Sequence, residues 1–189
     1  PSHPKAKDLL KILNYPLAAP SANISSRVSP VTKNHVKEEF GKKIKYIIEG
    51  GLSKIGLEST IINLTGKPEI LRIGTIDINK LSKALKKKLL YRKKTYMKVP
   101  GQNRLHYSPG IPLRMNCKDA SQDEAFILMK KRNNNNKNFF YLSKNKNLKE
   151  AARNLYSVLR KIKKKGYKKI AVEKIEKKGI GLAINDRLQ

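Results

Sequence analysis

Three short segments of the sequence carry side chains that could bind a small anionic molecule. Residues 20–30 contain several serines and an asparagine, and they directly follow the apolar run 15–19. Residues 58–60 have the sequence Glu-Ser-Thr, and residues 71–74 place Arg72 inside an apolar strand pattern. Hydroxyls, main-chain amides and a guanidinium suit a carboxylate or a polyphosphate. Each segment could equally have a structural role, as a connecting loop, a strand edge or a surface strand.

The sequence lacks the common cofactor and metal motifs. It contains no P-loop, no dinucleotide-binding glycine pattern after a strand and no nucleophile elbow. The histidines are too scattered to predict a metal site, so we assign no metal ligand and no separate catalytic residue. The single cysteine, Cys117, cannot form an internal disulfide and favours a reducing compartment. The apolar runs are shorter than the roughly 20 residues of a membrane-spanning helix, so we expect no membrane span.

The charge balance is strongly basic. The chain has 43 lysines and arginines against 14 acidic residues, which gives a net charge of +29. Such a surface attracts nucleic acid nonspecifically at low salt. Lysine far outnumbers arginine, whereas specific phosphate and base recognition favours the planar arginine fork. The composition therefore predicts nonspecific RNA binding and leaves open whether the charge has a function.

The first part of the chain alternates helical and strand patterns. Thr32 and Gly41 are typical first and last residues of a helix. A tight turn at 65–68 joins two apolar segments and predicts a β-hairpin. The predicted strands are 15–19, 45–49, 59–64 and 69–73, and the predicted helices are 4–14, 32–40 and 78–90.

The pattern changes at residue 91. Residues 91–112 combine basic runs with prolines and glycines and show no sustained period, which predicts a linker that lies over a surface. Helices that alternate with strands after this point indicate a small α/β domain with a parallel sheet. The predicted strands there are 138–142 and 168–173, and the predicted helices are 124–131, 147–165 and 181–188.

These segments resemble, in the same order, those of YrdC-like threonylcarbamoyl-AMP synthases. Each motif alone is weak, but several of them in the family's order are specific, and together they span nearly the whole chain. Ser26 departs from the pattern, because a glycine is common at that position in the family. The stretches that carry the resemblance are 16–23 with 29–30, 48–51, 56–62, 71–74, 106–109, 150–155 and 179–188.

The resemblance implies an α/β protein with three parts. Residues 1–90 would be the C-terminal part of a YrdC-like domain with a twisted mixed sheet. Residues 91–112 would be the interdomain linker of the long, two-domain members, and residues 113–189 a small Rossmann-like α/β domain. The chain begins at Pro1 rather than Met and lacks the lysine-and-arginine motif that members carry near their N terminus. We therefore expect an N-terminal truncation, and a fragment that alone does not turn over.

The implied activity is that of a nucleotidyltransferase. It makes L-threonylcarbamoyl-AMP and pyrophosphate from ATP, L-threonine and bicarbonate. The threonine amine would capture bicarbonate as a carbamate, whose oxygen attacks the α-phosphate of ATP. A separate transferase would then use the product to modify adenosine 37 of tRNA, in the cytoplasm. Magnesium is expected with ATP, and the linker would act as a lid that excludes water.

The resemblance also assigns individual site residues. Catalysis would rest on positioning and charge stabilisation rather than on a covalent enzyme intermediate. Asn23 would shape the loop or touch the nucleotide. The threonine pocket would include Ala19, Ser21 and Ser59, and the ATP site would include Ser29, Arg72 and Tyr107.

Two other functions stay open at this point. A basic RNA-binding module would need aromatic stacking residues among its basic runs. Aromatic residues are only 6% of the chain, and Tyr91 and Tyr96 alone lie in the densest basic stretch. A noncatalytic remnant would keep its C-terminal domain only for contacts with other molecules.

Overall fold

The protein folds into two small sheets with five α-helices in the described residues. The computed structural model describes residues 1–91, 99, 107–133 and 136–189. The elements are α1 (Pro4–Lys11), α2 (Lys33–Phe40), β1 (Ile61–Asn63), β2 (Glu69–Arg72), α3 (Ile78–Leu85), β3 (Leu90–Tyr91), β4 (Leu113–Arg114), β5 (Ala125–Leu128), β6 (Phe139–Tyr141), α4 (Leu148–Lys164), β7 (Ile170–Val172) and α5 (Ile180–Leu188).

The first sheet has the order β1-β2-β3 and is mixed. Strands β1 and β2 pair antiparallel, which confirms the predicted hairpin, and β2 pairs with β3 in parallel. A register shift between Ile61 and Ile62 places Ile61 opposite Arg72. Such a bulge can redirect a side chain at the end of a strand. The mixed sheet agrees with the fold class that the sequence predicted.

The second sheet has the order β4-β7-β5-β6, and all its pairs are parallel. The prediction of a parallel α/β unit is therefore confirmed. The helix predicted at 124–131 is wrong, because Ala125–Leu128 is a strand with every residue buried. A short apolar run that is covered on both faces has no period that separates strand from helix.

Three further element predictions differ from the structure. The runs 15–19 and 45–49 form no strand, and their large apolar residues, such as Leu17, Tyr46 and Ile48, are exposed. Strands need pairing partners, and within the described ranges neither run has one. Helix α3 ends at Leu85 rather than at residue 90, because Lys86 has a left-handed backbone (φ 52°) that terminates it.

Side-chain caps mark the starts of α2 and α4, and the cap of α2 is the one that the sequence predicted. The Thr32 side chain accepts a hydrogen bond from the His35 amide at the start of α2, and Gly41 ends that helix. The Asn147 side chain caps α4 by accepting from the amides of Lys149 and Glu150. No helix among the described residues is long and apolar enough to cross a membrane.

Helix α4 is the centre of the largest hydrophobic cluster. Its buried residues Leu155, Tyr156 and Leu159 pack in one cluster with residues of β5–β7 and α5, and with Val28 and Val31 from the first part of the chain. The core therefore runs through both predicted domains. This packing brings residues of the first and second parts to the same place, where the candidate site lies.

Candidate active site

Arg72 joins two of the predicted site residues. It ends strand β2, and its Nε donates a hydrogen bond to the main-chain oxygen of Ser59 at 2.9 Å. Its Nη2 donates to the Oγ of Ser59 at 3.0 Å, and its Nη1 donates to the Tyr107 hydroxyl at 3.0 Å. The guanidinium fork therefore holds Ser59 and Tyr107 in fixed positions relative to each other.

Tyr107 is buried although it belongs to the predicted linker. Its backbone has a φ of 60°, a left-handed conformation that is unusual for a bulky residue. Its ring stacks on that of Tyr156, with centroids 6.0 Å apart, and the guanidinium carbon of Arg187 lies 4.8 Å from its ring centroid. Backbone strain of this kind persists where the surrounding structure determines the conformation, and it concentrates at functional sites.

Glu58 accepts hydrogen bonds from several side chains around Tyr107. Its Oε1 accepts hydrogen bonds from the Oγ of Ser29 at 2.6 Å and from the Tyr156 hydroxyl at 3.0 Å. Its Oε2 accepts from the Tyr156 hydroxyl at 2.8 Å and from the Nε of Arg187 at 2.9 Å. One carboxylate thus connects the serine-rich loop, helix α4 and helix α5.

Arg187 reaches this centre from α5, and its side chain is only 1% exposed. Besides Glu58, its guanidinium donates to the main-chain oxygen of Ile73 at 2.9 Å and to the carboxylate of Asp186. Asp186 also accepts from the Tyr91 hydroxyl at 2.9 Å. Burial and this carboxylate raise the pKa of Tyr91 to about 12, so Tyr91 stays a neutral hydrogen-bond donor.

The buried groups have defined charges at neutral pH. Burial opposes ionisation of Glu58, but Arg187 and the hydrogen bonds from Ser29, Arg187 and Tyr156 outweigh it and lower the pKa of Glu58. Burial and the Glu58 charge raise the pKa of Tyr156 and also that of Tyr107, whose increase is reduced by nearby arginines. Glu58 is therefore a carboxylate, and both tyrosines are neutral hydroxyls.

A cavity of about 400 Å³ lies next to this network. Ser21 and Ser29 of the loop line it, together with Glu58 and Tyr156. Ser29 is buried, whereas Ser21 is exposed. The cavity offers hydroxyls and main-chain groups near a single carboxylate, which suits a small zwitterionic or polar ligand. Ser59, Arg72 and Tyr107 form the adjoining cluster and are not part of its wall.

The serine-rich loop is held by its own side chains. The side-chain Nδ2 of Asn23 donates to the main-chain carbonyls of Ile24 and Arg27, at 2.9 and 3.2 Å. Ser26 has a φ of 68°, a left-handed conformation that glycine adopts more readily than serine. These two contacts tie the loop to itself; the resemblance implied for Asn23 either such a role or contact with the nucleotide. Ala19 is exposed in the segment that leads into the loop.

Two glycines let the chain approach the site closely. Gly56 has a φ of 81°, and a Cβ at this position would lie 2.5 Å from the Cα of Arg153 in α4. At Gly74, a Cβ would lie 2.1 Å from the main-chain nitrogen of Thr60. Only glycine fits either position without a shift of the main chain. Gly56 therefore allows the segment of Glu58 to approach α4, and Gly74 allows the segment after β2 to approach Ser59 and Thr60.

The structure brings the predicted residues together in two neighbouring groups. Ser59, Arg72 and Tyr107 are directly hydrogen-bonded, and Ser21 and Ser29 share the cavity beside Glu58. Sequence reasoning assigned no role to Tyr156 or Arg187. A signal was present for Arg187, because Arg187 and its neighbour Asp186 are the only charged residues in the otherwise uncharged stretch 179–188. Tyr156 gave none, because its helical position is typical of a core residue.

No group of three or more metal-ligating side chains occurs among the described residues. The one carboxylate of the site, Glu58, already accepts hydrogen bonds from three donors, which are the hydroxyls of Ser29 and Tyr156 and the Nε of Arg187. The described residues therefore do not form a dedicated divalent-cation cage of their own.

Fold and site together define a two-part α/β protein with a cavity lined by serine hydroxyls and Glu58, beside a hydrogen-bonded cluster of Ser59, Arg72 and Tyr107. A family model described as "Threonylcarbamoyl-AMP synthase, C-terminal domain" matches residues 73–189. A second model, described as "Telomere recombination", matches residues 1–74. The chain belongs to the threonylcarbamoyl-AMP synthase family, which confirms the resemblance found in the sequence.

Individual relatives agree with this assignment over the whole chain. The chain is 34% identical to threonylcarbamoyl-AMP synthase of Pyrococcus abyssi and 31% identical to that of Schizosaccharomyces pombe. It also resembles the crystal structure of P. abyssi Sua5 complexed with L-threonine, with a TM-score of 0.85 and 31% identity over 100% of this chain. The chain spans 61% and 55% of the two synthases and 61% of the solved chain.

Proposed function

We propose that this chain forms part of an L-threonylcarbamoyladenylate synthase, which converts ATP, L-threonine and bicarbonate into threonylcarbamoyl-AMP and pyrophosphate. The observation that carries the proposal is the arrangement of Arg72, which binds Ser59 and Tyr107 beside the cavity of Ser21 and Ser29. The solved relative was complexed with L-threonine, which supports this amino acid as a substrate.

In the proposed reaction the protein positions its substrates. Ala19, Ser21 and Ser59 bind threonine. The threonine amine attacks the carbon of bicarbonate and water leaves, and the resulting carbamate faces the α-phosphate of ATP. Ser29, Arg72 and Tyr107 bind the nucleotide, and the Arg72 guanidinium offsets the charge that builds on the phosphates during transfer. The carbamate oxygen forms the new bond to the α-phosphorus, and pyrophosphate leaves with the electron pair of the broken bond.

The proposal includes magnesium and a downstream enzyme. Magnesium would be held mainly by the phosphates of ATP and by water, and it would supply charge neutralisation there. Threonylcarbamoyl-AMP is a reactive mixed anhydride, so a transferase that passes the threonylcarbamoyl group to tRNA would consume it. The single, buried, unpaired Cys117 supports a reducing compartment such as the cytoplasm.

The test is pyrophosphate release by the full-length protein from labelled ATP. We expect release only when threonine and bicarbonate are both present, with a product of the mass of threonylcarbamoyl-AMP. Serine in place of threonine is the matched control, because it keeps the amino and carboxyl groups but removes the methyl. Release that is unchanged when threonine or bicarbonate is omitted would contradict the proposal.

A further inference from the structure

Arg187 contacts three segments that border the Arg72 cluster, at Glu58, Ile73 and Tyr107. It binds Glu58, the neighbour of Ser59, and the carbonyl of Ile73, the neighbour of Arg72. Its guanidinium also lies against the ring of Tyr107. One buried side chain from α5 thus contacts all three segments whose residues form the Arg72 cluster.

The contacts are specific to a guanidinium. The Nε donates to Glu58 while Nη2 donates to Ile73, and the planar face of the same group lies on the Tyr107 ring. Lysine has a single compact charge and could satisfy one of these partners, but not all three in this geometry. The arrangement therefore does more than neutralise the buried Glu58 carboxylate.

We propose that Arg187 is a positioning residue of the synthase site. Through Glu58, Ile73 and the Tyr107 ring it fixes the relative positions of Ser59, Arg72 and Tyr107, so the C-terminal domain forms part of the site's supporting structure. The inference about catalysis rests on the proposed function. The inference about position does not, because it follows from contacts within the protein.

A simple structural role makes a different prediction from a positioning role. Removal of Arg187 leaves Glu58 buried without its counter-ion, which destabilises the folded protein. If Arg187 served only as a counter-ion, neutralising Glu58 as well would restore both stability and substrate binding. If Arg187 also positions Ile73 and Tyr107, the second substitution would restore stability but not substrate binding.

The experiment compares Arg187→Met, Glu58→Gln and the double variant in the full-length protein. Stability is measured by denaturant unfolding, and the threonine KM and kcat by pyrophosphate release. We expect the double variant to be about as stable as the single variant Glu58→Gln. The threonine KM of the double variant should stay at least tenfold above that of Glu58→Gln. Recovery of both quantities together would overturn the proposal.

Two further variants calibrate this comparison. Arg187→Lys keeps the charge, so we expect stability closer to wild type than that of Arg187→Met, with an intermediate threonine KM. Arg153→Met changes an exposed arginine of α4 and should leave both quantities unchanged. A threonine KM for Arg187→Lys equal to that of wild type would show that charge alone suffices, against the proposal.

A ligand-free measurement separates this inference from the proposed function. Amide hydrogen exchange of residues 107–112 should become faster in the Arg187→Met/Glu58→Gln variant than in Glu58→Gln, because the Tyr107 ring loses its guanidinium contact. Unchanged exchange there would refute the positioning role even in an active enzyme. Faster exchange in a protein that releases no pyrophosphate would retain the positioning role and reject only the synthase function.

Discussion

Glu58 and Arg187 lie 129 positions apart in the chain, and their side chains meet at 2.9 Å in the interior. Glu58 precedes Ser59 of the proposed threonine site, whereas Arg187 belongs to the last helix of the second part. This ion pair joins the two parts at the place where the candidate ligand groups converge. Interdomain contact and candidate site are therefore one structural unit.

Replacement of Arg72 by alanine should strongly impair ATP use. The substitution removes a cation and the three hydrogen bonds that hold Ser59 and Tyr107. Loss of one well-placed donor to a developing charge typically costs roughly 10²–10³-fold in rate, and we expect a fall of this size in kcat/KM for ATP. Steady-state pyrophosphate release by the full-length protein measures it. Turnover equal to that of the Arg153→Ala control would remove Arg72 from the site.

Gly56→Ala should destabilise the protein. The new Cβ would meet the Arg153 main chain at 2.5 Å, and the positive φ disfavours any side chain. Together these effects should lower the free energy of unfolding by at least about 2 kcal/mol. Gly66→Ala is the matched control, because nothing lies within 4 Å of its Cβ, and it should change stability by less than about 0.5 kcal/mol. Denaturant unfolding that ranks the two variants equally would contradict the close approach of residue 56 to α4.

Glu58→Gln should alter the acid stability of the protein. The folded-state pKa of Glu58 lies below its ordinary value of 4.5, so its ionised form stabilises the folded state above that value. The stabilisation is lost as the pH falls through the folded-state pKa. The difference in unfolding free energy between wild type and Glu58→Gln should hence be constant above about pH 5.5 and shrink below it.

The other groups that face Glu58 do not titrate in the pH range of this measurement. Arg187 packs against Glu58 from α5, Tyr156 from α4 and Ser29 from the loop. The ring of Tyr107 stacks on that of Tyr156. Neither tyrosine nor the arginine changes charge between pH 3 and 7, because their pKa values are raised. A difference that grows as the pH falls would mean that Glu58 is protonated in the folded protein, contrary to the geometry.

The basic surface should bind RNA in a strongly salt-dependent manner. With a net charge of +29, the chain should release many counterions when it contacts phosphates. We expect the affinity for a single-stranded homopolymer RNA to fall linearly with salt on a double-logarithmic plot, with little dependence on base identity. Binding with a clear sequence preference that persists in high salt would instead favour the RNA-binding function left open by the sequence.

Elements fixed by local chemistry were predictable from the sequence. The Thr32 cap and the Gly41 end of α2 depend on hydrogen bonds and dihedral angles within a few residues. The β1–β2 hairpin depends on a turn and two adjacent apolar runs. Strand β5 was not predictable in this way, because Ala125–Leu128 is buried on both faces by residues that lie far away in the sequence.

The residues of the candidate site also fall into a group that the sequence could predict and a group that it could not. Ser59 and Arg72 belong to motifs that a family pattern contains, and they meet because β1 and β2 are neighbours. Tyr156 and Arg187 enter the site only through the packing of α4 and α5 against the first part of the chain. Contacts across 98 and 129 positions leave no periodic signal in the sequence, so their role required the structure.

The ion pair between Glu58 and Arg187 also constrains when the chain can fold during translation. Ribosomes add roughly 5–20 residues per second, so roughly 6–26 s separate the two residues as the nascent chain grows. During that interval the Glu58 carboxylate has no guanidinium to pair with and must remain hydrated. The segment around residue 58 is thus expected to reach its final packing only after translation has passed residue 187.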